Sequence, residues 1–268
     1  MSIPIALTIA GSDSSGGAGI QADLKTFAAC GVYGASAITA LTAQNTKGVT
    51  GIHDVPADFI AAQIDAVFTD LDVKAVKIGM VARREAIEAI VAGLDRWAPK
   101  QVVVDPVMVA TSGDRLLSPD AVDALRTKLF PRASLITPNL PEAAALLNEA
   151  IAGNDSDIER QGRRLLAMGC PAVLIKGGHG QGPESIDYLF GKDAVVRLAA
   201  PRITTNNTHG TGCSLSSAIA AGLAKGHDLE TAVRDAKAYV SAAIAASGQL
   251  DVGHGHGPIY HFHSFGQS

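Results

Sequence analysis

The sequence predicts an α/β fold, in which a mostly parallel sheet is covered by helices on both faces. Short β-branched apolar runs alternate with stretches of helical period along most of the chain. Of the 268 residues, 47% are hydrophobic and 18% are charged, and 28 are glycines. This balance suits buried parallel strands and alanine-faced helices. Because consecutive parallel strands need crossover connections, the alternation favours helices that pack on both faces of one sheet.

The elements follow one another in βαβ order from the first residues. Strands are predicted at 5–9, 37–41, 75–78, 102–104, 135–136 and 173–175, and helices at 18–29, 58–67, 84–92, 119–129, 141–147 and 157–168. Two short strand candidates follow at 186–190 and 194–199, and the intervening Gly191-Lys192-Asp193 predicts an antiparallel hairpin at one edge of the sheet. Two alanine-rich helices begin near Thr211 and Leu229. No linker or repeat interrupts residues 1–268, so we predict one domain.

Charge, targeting signals and cysteines narrow the class of protein. The formal net charge is −4 and no run of Lys or Arg occurs, which argues against nucleic acid or an anionic membrane as a partner. The first residues lack a basic start and read as a strand, and no apolar stretch reaches the length of a membrane span. The chain has three cysteines, Cys30, Cys170 and Cys213, and an odd number cannot all pair in disulfides within one chain. This fits a reducing compartment. We therefore expect a cytoplasmic protein.

A glycine-rich loop, residues 11–19, follows the first predicted strand. Its end matches the loose G-x-G-x-x-A form of a dinucleotide-binding fingerprint at Gly17, Gly19 and Ala22. The acidic residue that should end the second strand is missing, however, and the chain contains no G-x-x-x-x-G-K-[ST] phosphate loop. Either a flexible strand-to-helix turn or a backbone cradle for a small substrate explains the loop.

The strongest chemical signal is a second glycine motif, which leads into an alanine-rich helix and reads Asn207-Thr208-His209-Gly210-Thr211-Gly212-Cys213. The glycines let backbone amides turn inward where a helix begins, and a helix N-terminus presents unpaired N–H groups and a positive dipole end. These features predict an anion hole. They also predict a lowered pKa for the Cys213 thiol, so that a thiolate exists near neutral pH. The alternative is that Cys213 is a buried structural cysteine and that the glycines only begin the helix.

Other polar residues stand at strand ends or helix starts and also have structural alternatives. Asn139 followed by Glu142 is a capping-box pattern. Asp105 ends an apolar strand, where open α/β sheets place ligands, and Lys176 ends another.

No role in a site is predicted for the remaining polar residues of note. Lys237 reads as a solvated helix position. The tail histidines, His254, His256, His261 and His263, lack the acidic or thiolate partners of a zinc site.

The order of these motifs resembles the hydroxymethylpyrimidine (phosphate) kinase family of the ribokinase-like superfamily. The resemblance lies in residues 10–27, 39–46, 137–143, 207–213 and 252–258, and in the runs Lys77-Ile78-Gly79-Met80 and Asp105-Pro106-Val107-Met108. It covers essentially the whole chain. Sugar-kinase relatives carry Asp at the end of the G-x-G-x motif, whereas Cys213 at that position is similar to the pyrimidine-kinase branch.

The resemblance implies a ribokinase-like three-layer α/β/α fold with an antiparallel edge hairpin. The implied activity is phosphoryl transfer from ATP, with Mg²⁺, to the hydroxymethyl group of 4-amino-5-hydroxymethyl-2-methylpyrimidine and then to its monophosphate, for thiamine biosynthesis. A homodimer is also implied. Two other functions stay open: a pyridoxal or pyridoxine kinase of the same branch, and a non-catalytic pyrimidine-binding protein with the kinase fold.

On the acceptor side, the resemblance assigns ring contacts to Asp23 and Gln44. A carboxylate and a two-sided amide can together read an exocyclic amine and ring nitrogens that lie in one plane. Gly11, Met80 and Val107 would supply close backbone or apolar contact.

On the phosphate side, the resemblance implies that the amides of Gly210, Thr211, Gly212 and Cys213 hold the migrating group and that Cys213 takes the alcohol proton. Asn139, Lys176 and Thr208 would bind ATP. Glu142 and Asp105 would hold the metal, because Mg²⁺ prefers oxygen ligands.

Overall fold

The structure, a computed structural model, describes residues 2–108, 117–178, 180 and 182–265. Within them the strands are β1 (Ile5–Asp13), β2 (Tyr33–Asn45), β3 (Gly48–Asp54), β4 (Val73–Ile78), β5 (Val102–Val104), β6 (Leu135–Ile136), β7 (Val173–Ile175), β8 (Glu184–Phe190) and β9 (Val195–Pro201). The α-helices are α1 (Gly19–Ala29), α2 (Ala57–Phe68), α3 (Arg84–Trp97), α4 (Pro119–Ala124), α5 (Leu140–Leu147), α6 (Asp155–Leu166), α7 (Thr211–Ala224) and α8 (Leu229–Ala245). A π-helical turn, Leu125–Leu129, continues α4, and 3₁₀ turns occur at Phe130–Arg132 and Ser247–Gln249.

The described strands form one continuous sheet in the order β3-β2-β1-β4-β5-β6-β7-β8-β9. Every neighbouring pair from β2 to β7 in this order is parallel. Strand β8 is antiparallel to both β7 and β9, and β3 is antiparallel to β2. The predicted parallel sheet with an antiparallel edge hairpin is therefore confirmed. The single-domain organisation stays a prediction, which the continuity of this sheet favours.

Hydrophobic clusters cover both faces of the sheet. Because side chains alternate along a strand, Leu7 and Ile9 of β1 join one cluster, whereas Ala6 joins the other. Helices α2 to α6 contribute to the first cluster, and α1, α7 and α8 contribute to the second. Burial on both faces explains why β1 reads as a continuous apolar run in the sequence. No helix in the described part of the chain is long and apolar enough to cross a membrane.

The edge near β3 differs from the sequence-based expectation. Strand β3 was not predicted, because most of its residues are exposed or half-exposed and no apolar pattern marks them. Strand β2 is also longer than the predicted 37–41. Its pairing with β1 ends at Thr42, whereas Gln44 and Asn45 pair with β3. The end of β2 therefore extends beyond the parallel sheet, towards the carboxyl ends of its strands.

Candidate active site

A cavity of about 700 Å³ lies at the carboxyl ends of the parallel strands. Residues that follow β4, β5, β6 and β7 meet in its wall, because parallel strands end at the same edge of a sheet. All predicted site residues except Asp23 line this cavity: Gly11, Gln44, Met80, Asp105, Val107, Asn139, Glu142, Lys176, Thr208, Gly210, Thr211, Gly212 and Cys213.

The N-terminus of α7 lies directly against the first glycine-rich loop. Gly210 has a φ of 79°, and a Cβ atom added there would collide with the backbone oxygen of Gly17. Glycine is therefore required for this approach of two backbones. Ser214 N donates to Gly210 O at 2.9 Å, which begins the helical hydrogen-bond pattern. The amides of Gly212 and Cys213 precede that pattern, at the end of a helix where anions are stabilised.

Cys213 does not have the lowered pKa that its helix position predicts. Burial raises the pKa of the Cys213 thiol to about 11. The Lys77 ammonium acts in the opposite direction, but the charges of Asp23 and Asp105 reinforce the effect of burial. The expectation of a thiolate near neutral pH is therefore wrong for the resting protein, because desolvation outweighs the nearby cation.

The ring contact predicted for Asp23 is also not what the structure shows. Asp23 lies on the buried face of α1 with 0% exposure. Its carboxylate accepts hydrogen bonds from Thr8 Oγ1 at 2.6 Å and Ser217 Oγ at 2.7 Å, and both oxygens lie 2.8 Å from Lys77 Nζ. Asp23 is therefore a buried counter-ion for Lys77, and it is Lys77 that lines the cavity.

Lys176 lies between two carboxylates in the cavity wall. Its Nζ is 2.6 Å from Asp105 Oδ1 and 3.8 Å from Glu142 Oε2, and Thr137 Oγ1 donates to the same Asp105 oxygen at 3.0 Å. Burial acts to lower the pKa of Lys176, but the two carboxylates raise it above its usual range. Burial raises the pKa of Glu142 to about 7. Lys176 is thus a permanent cation, whereas Glu142 changes its charge near neutral pH.

Asn139 and Glu142 form the capping box that their three-residue spacing predicts. Glu142 N donates to Asn139 Oδ1 at 2.8 Å, and Asn139 N donates to Glu142 Oε2 at 2.7 Å. Both residues line the cavity as well. The cap and a place in the site therefore coexist, because the N-terminus of α5 is itself part of the cavity wall.

The carboxylates of Asp105 and Glu142 suit a hard cation that keeps water ligands. Within the described residues, no group of three or more His, Cys, Asp or Glu side chains could hold a metal ion by itself. Proteins bind Mg²⁺ through one or two carboxylates together with substrate phosphates and water. The donor set in this wall therefore fits Mg²⁺ that arrives with a nucleotide.

Gln44 lines the part of the cavity nearest the first glycine-rich loop. Its Oε1 accepts from Thr42 Oγ1 at 3.0 Å, and its Nε2 lies 3.5 Å from His209 Nε2. Ser14 Oγ donates to the Gln44 carbonyl at 2.7 Å, which holds the backbone. A side-chain amide fixed in this way presents a donor and an acceptor in one plane.

A hydrogen bond between two buried side chains joins the two glycine-rich loops, and the sequence did not predict it. His209 Nε2 lies 2.8 Å from Asp13 Oδ2, and both side chains are buried. Asp13 also accepts hydrogen bonds from the amides of Ser15, Gly17 and Ala18. Burial alone would raise the pKa of Asp13, but the hydrogen bonds from His209 and Ser15 lower it to about 2. An aspartate at a strand end, followed by glycines, was the signal available in the sequence.

The expectation that Lys237 lies on a solvated helix face is wrong, because its side chain is buried. Its Nζ is 2.7 Å from Asp187 Oδ2, and Asp187 Oδ1 accepts from Gly177 N at 2.8 Å. Lys237 and Asp187 both line the cavity beside Lys176. Helical periodicity could not reveal this pair, because Asp187 belongs to β8 and lies 50 residues earlier.

Comparison with solved structures places this fold among small-molecule kinases. The ADP complex of pyridoxal kinase from Bacillus subtilis has a TM-score of 0.90 and 37% identity, and the match covers 97% of this chain and 98% of that one. Phosphomethylpyrimidine kinase from Clostridium difficile 630 has a TM-score of 0.80 and 48% identity, over 91% of this chain and 100% of that one. The ribokinase-like architecture is therefore shown.

Sequence relatives narrow the class to one family. A family model described as phosphomethylpyrimidine kinase matches residues 13–260. The hydroxymethylpyrimidine/phosphomethylpyrimidine kinase of Rhizobium meliloti (strain 1021) is 62% identical over 259 residues, which are 97% of this chain and 97% of that protein. The chain belongs to the phosphomethylpyrimidine kinase family.

Proposed function

We propose that this protein transfers a phosphoryl group from ATP to the hydroxymethyl group of 4-amino-5-hydroxymethyl-2-methylpyrimidine and then a second one to the resulting monophosphate. The product is the diphosphate used in thiamine biosynthesis. The observation that carries the proposal is the meeting, in one cavity, of the α7 N-terminus, the Lys176 cation and the oriented Gln44 amide. Membership of the family supports the same activity.

Gln44 recognises the aminopyrimidine in this proposal. Its side-chain amide lies beside Thr42 and His209, and its donor and acceptor can pair with an exocyclic amine and a ring nitrogen. Gly11, Met80 and Val107 form the adjoining wall. Asp23 is not included among the ring contacts, since Thr8, Lys77 and Ser217 occupy its carboxylate.

The transferred phosphoryl group is held at the N-terminus of α7. The amides of Gly210, Gly212 and Cys213 would donate to a group whose charge spreads over its oxygens during transfer, and such preorganised donors lower the barrier. The Thr211 amide, which the resemblance also implied, already donates to Thr208 O at 3.2 Å. Lys176 adds a permanent positive charge. Asn139 and Thr208 bind the nucleotide phosphates from the same wall. The ADP complex of the similar pyridoxal kinase supports ATP as the phosphoryl donor.

Asp105 and Glu142 would hold Mg²⁺ through oxygen ligands and water. Bound there, it would supply positive charge that offsets the charge developing on the nucleotide phosphates. Lys176 lies within 4 Å of both carboxylates, so it keeps them in place before the nucleotide binds.

Cys213 takes the proton of the alcohol in the first transfer. Because the resting group is a thiol, this step uses the small thiolate population that exists at neutral pH. The oxygen–phosphorus bond forms as the bond to the departing ADP breaks, and the alcohol proton passes to Sγ. In the second transfer the nucleophile is a phosphate oxygen that is already ionised, so no proton has to be removed.

Mass spectrometry of the products tests the proposal directly. Purified protein, ATP, Mg²⁺ and the pyrimidine alcohol should yield first the monophosphate and then the diphosphate. A Lys176→Met variant, which removes the cation but keeps an unbranched side chain of similar length, is the matched control and should lose most activity. Absence of any phosphorylated pyrimidine would contradict the proposal. ATP consumption that depends on the pyrimidine would exclude the non-catalytic pyrimidine-binding alternative.

Pyridoxal phosphorylation is a second candidate, because the pyridoxal kinase from Bacillus subtilis matches nearly the whole chain in structure. Pyridoxal also carries a hydroxymethyl group on an aromatic ring. Comparison of kcat/KM for the two alcohols decides between them. A higher value for pyridoxal would make the vitamin B6 compound the main substrate.

We also propose a cytoplasmic homodimer. Large apolar side chains are exposed on β2, β3 and α2, namely Tyr33, Leu41, Ile52 and Phe59, and exposed apolar surface favours association with a second protein surface. Cys30, Cys170 and Cys213 are free thiols, which suits a reducing compartment. Light scattering coupled to size-exclusion chromatography should give twice the chain mass, and a monomer at all concentrations would contradict the assembly.

A further inference from the structure

The chain after α8 crosses back over both glycine-rich loops before it ends. Residues 251–259, here called the C-terminal strap, leave the 3₁₀ turn Ser247–Gln249 and lead to Ile259, which has 0% exposure. Beyond Ile259, His261 Nε2 lies 2.9 Å from Ser214 Oγ, and Tyr239 Oη donates to His261 O at 2.8 Å. The C-terminal end of the strap is therefore anchored by buried structure.

The strap first contacts the turn between β2 and β3. His256 N donates to Thr46 O at 2.8 Å, and Gly255 N donates to Thr46 Oγ1 at 3.1 Å. Gln44 lies two residues before Thr46, on the part of β2 that extends past β1. The parallel sheet does not hold this segment, so its position depends on β3, on Ser14 and on the strap.

The strap then contacts the loop that precedes α7. His209 N donates to Gly257 O at 3.0 Å, and Ile259 N donates to His209 O at 3.4 Å. The same strap thus makes backbone hydrogen bonds next to Gln44 and at His209, whose side chains lie 3.5 Å apart in the cavity.

Three glycines allow the strap to lie this close, and one of them, Gly253, has a φ of 72° and packs against the Thr46 side chain. A Cβ atom added at Gly255 would collide with the backbone oxygen of Thr46, and one added at Gly257 would collide with Asn207 Oδ1. The obstacle at Gly255 is the backbone oxygen of Thr46, which cannot rotate away as a side chain can. The strap therefore keeps its course only with glycine at position 255.

We propose that the C-terminal strap positions Gln44 and His209 for recognition of the acceptor substrate, with Gly255 and Gly257 as its positioning residues. The inference rests on the proposed function in one respect, which is the role of Gln44 in binding the acceptor. Its structural part, the placement of the β2–β3 turn by the strap, is independent of that function.

Steady-state kinetics of Gly255→Ala test the catalytic part. We expect KM for the pyrimidine alcohol to rise about tenfold, as for the loss of one well-placed hydrogen bond, and KM for ATP to rise less, because Thr208 lies in the loop that the strap contacts while Asn139 and Lys176 do not. Gly248→Ala is the matched control, because a Cβ atom at Gly248 meets nothing within 4 Å. Equal increases in both KM values would overturn the proposal.

Hydrogen exchange tests the structural part even if the wild-type protein does not phosphorylate the pyrimidine. Gly255→Ala should speed amide exchange in residues 44–47 and 207–210, while residues 139–147 at the nucleotide side keep wild-type rates. A Gly257→Ala variant should show the same pattern and recover when Asn207→Ala removes the obstructing side chain. Unchanged exchange in residues 44–47 would show that the strap does not position this segment.

Discussion

Lys77 and Asp23 form an ion pair from which solvent is excluded. Both side chains are 0% exposed, and Lys77 Nζ lies 2.8 Å from each oxygen of the Asp23 carboxylate. Ser217 donates to the same carboxylate and lies one helical turn after Cys213 on α7. The pair is therefore part of the charge environment of Cys213, in which Lys77 favours the thiolate and Asp23 disfavours it.

Removal of one charge from this pair should cost more stability than removal of both. Lys77→Met leaves the Asp23 carboxylate buried without its cation, and breaking a buried pair costs about 3–5 kcal/mol. The double variant Lys77→Met, Asp23→Asn buries no charge at this place and should recover much of that loss. Urea unfolding of wild type, both single variants and the double variant gives the coupling energy. Additive losses would show that the two charges do not depend on one another.

Cys213→Ala should impair the first phosphoryl transfer much more than the second. The first nucleophile is a neutral alcohol, and a positioned base typically contributes about 10²–10⁴-fold. The second nucleophile is an ionised phosphate oxygen, so the α7 amides and Lys176 should suffice. Separate rates, measured with the alcohol and then the monophosphate as starting substrate, check the ratio. Equal losses in both steps would mean that Cys213 acts through structure or phosphate positioning.

The raised pKa of Cys213 also predicts the pH dependence of the first transfer. The thiolate is the deprotonated form, so below a pKa of about 11 its population grows as pH rises. The first transfer should therefore accelerate by up to about tenfold per pH unit above neutrality, while the second transfer should not. The Cys213→Ala variant is the control and should lack the dependence. A first step that is flat with pH in the wild type would exclude the thiolate as base.

Glu142→Gln should weaken the response to Mg²⁺ without destroying the helix cap. The Gln carbonyl can still accept from Asn139 N, but the charge that attracts the ion is gone. Activity should fall and recover in part at high Mg²⁺. Because burial raises the pKa of Glu142 to about 7 and the ionised form is the metal ligand, the wild type should need more Mg²⁺ as pH falls below about 7. Equal loss at every Mg²⁺ concentration, with a large drop in melting temperature, would assign Glu142 to the cap alone.

Gln44→Ala should reduce affinity for the pyrimidine far more than affinity for ATP. The substitution removes an oriented donor and acceptor and leaves ring polar groups unpaired, which costs about 1–3 kcal/mol. Calorimetric titration with the pyrimidine and with a non-hydrolysable ATP analogue measures both affinities. Gln249→Ala, at an exposed position in the last 3₁₀ turn, is the control. Loss of nucleotide affinity with normal pyrimidine affinity would place the acceptor site elsewhere.

Sequence reasoning succeeded where the determining interactions are local. The capping box of Asn139 and Glu142 and the β8–β9 hairpin were both recognised, because three-residue spacing and a short polar turn specify them. Strand β3 was missed, since its exposed residues carry no apolar alternation. Lys237 was misread for a different reason, namely that its partner Asp187 lies on a strand far away in the chain.

The sequence by itself determined the alternation of strands and helices, the parallel sheet with its edge hairpin, and the glycine motif at the start of α7. These features follow from periodicity and from local backbone geometry, which neighbouring residues decide. Only the tertiary structure decided which polar side chains of the site pair with one another and which are buried. Asp23 and Lys77 are 54 residues apart and Asp13 and His209 are 196 apart. Their pairing, together with the burial that raises the pKa of Cys213, depends on desolvation and close approach in the folded chain, which no local pattern records.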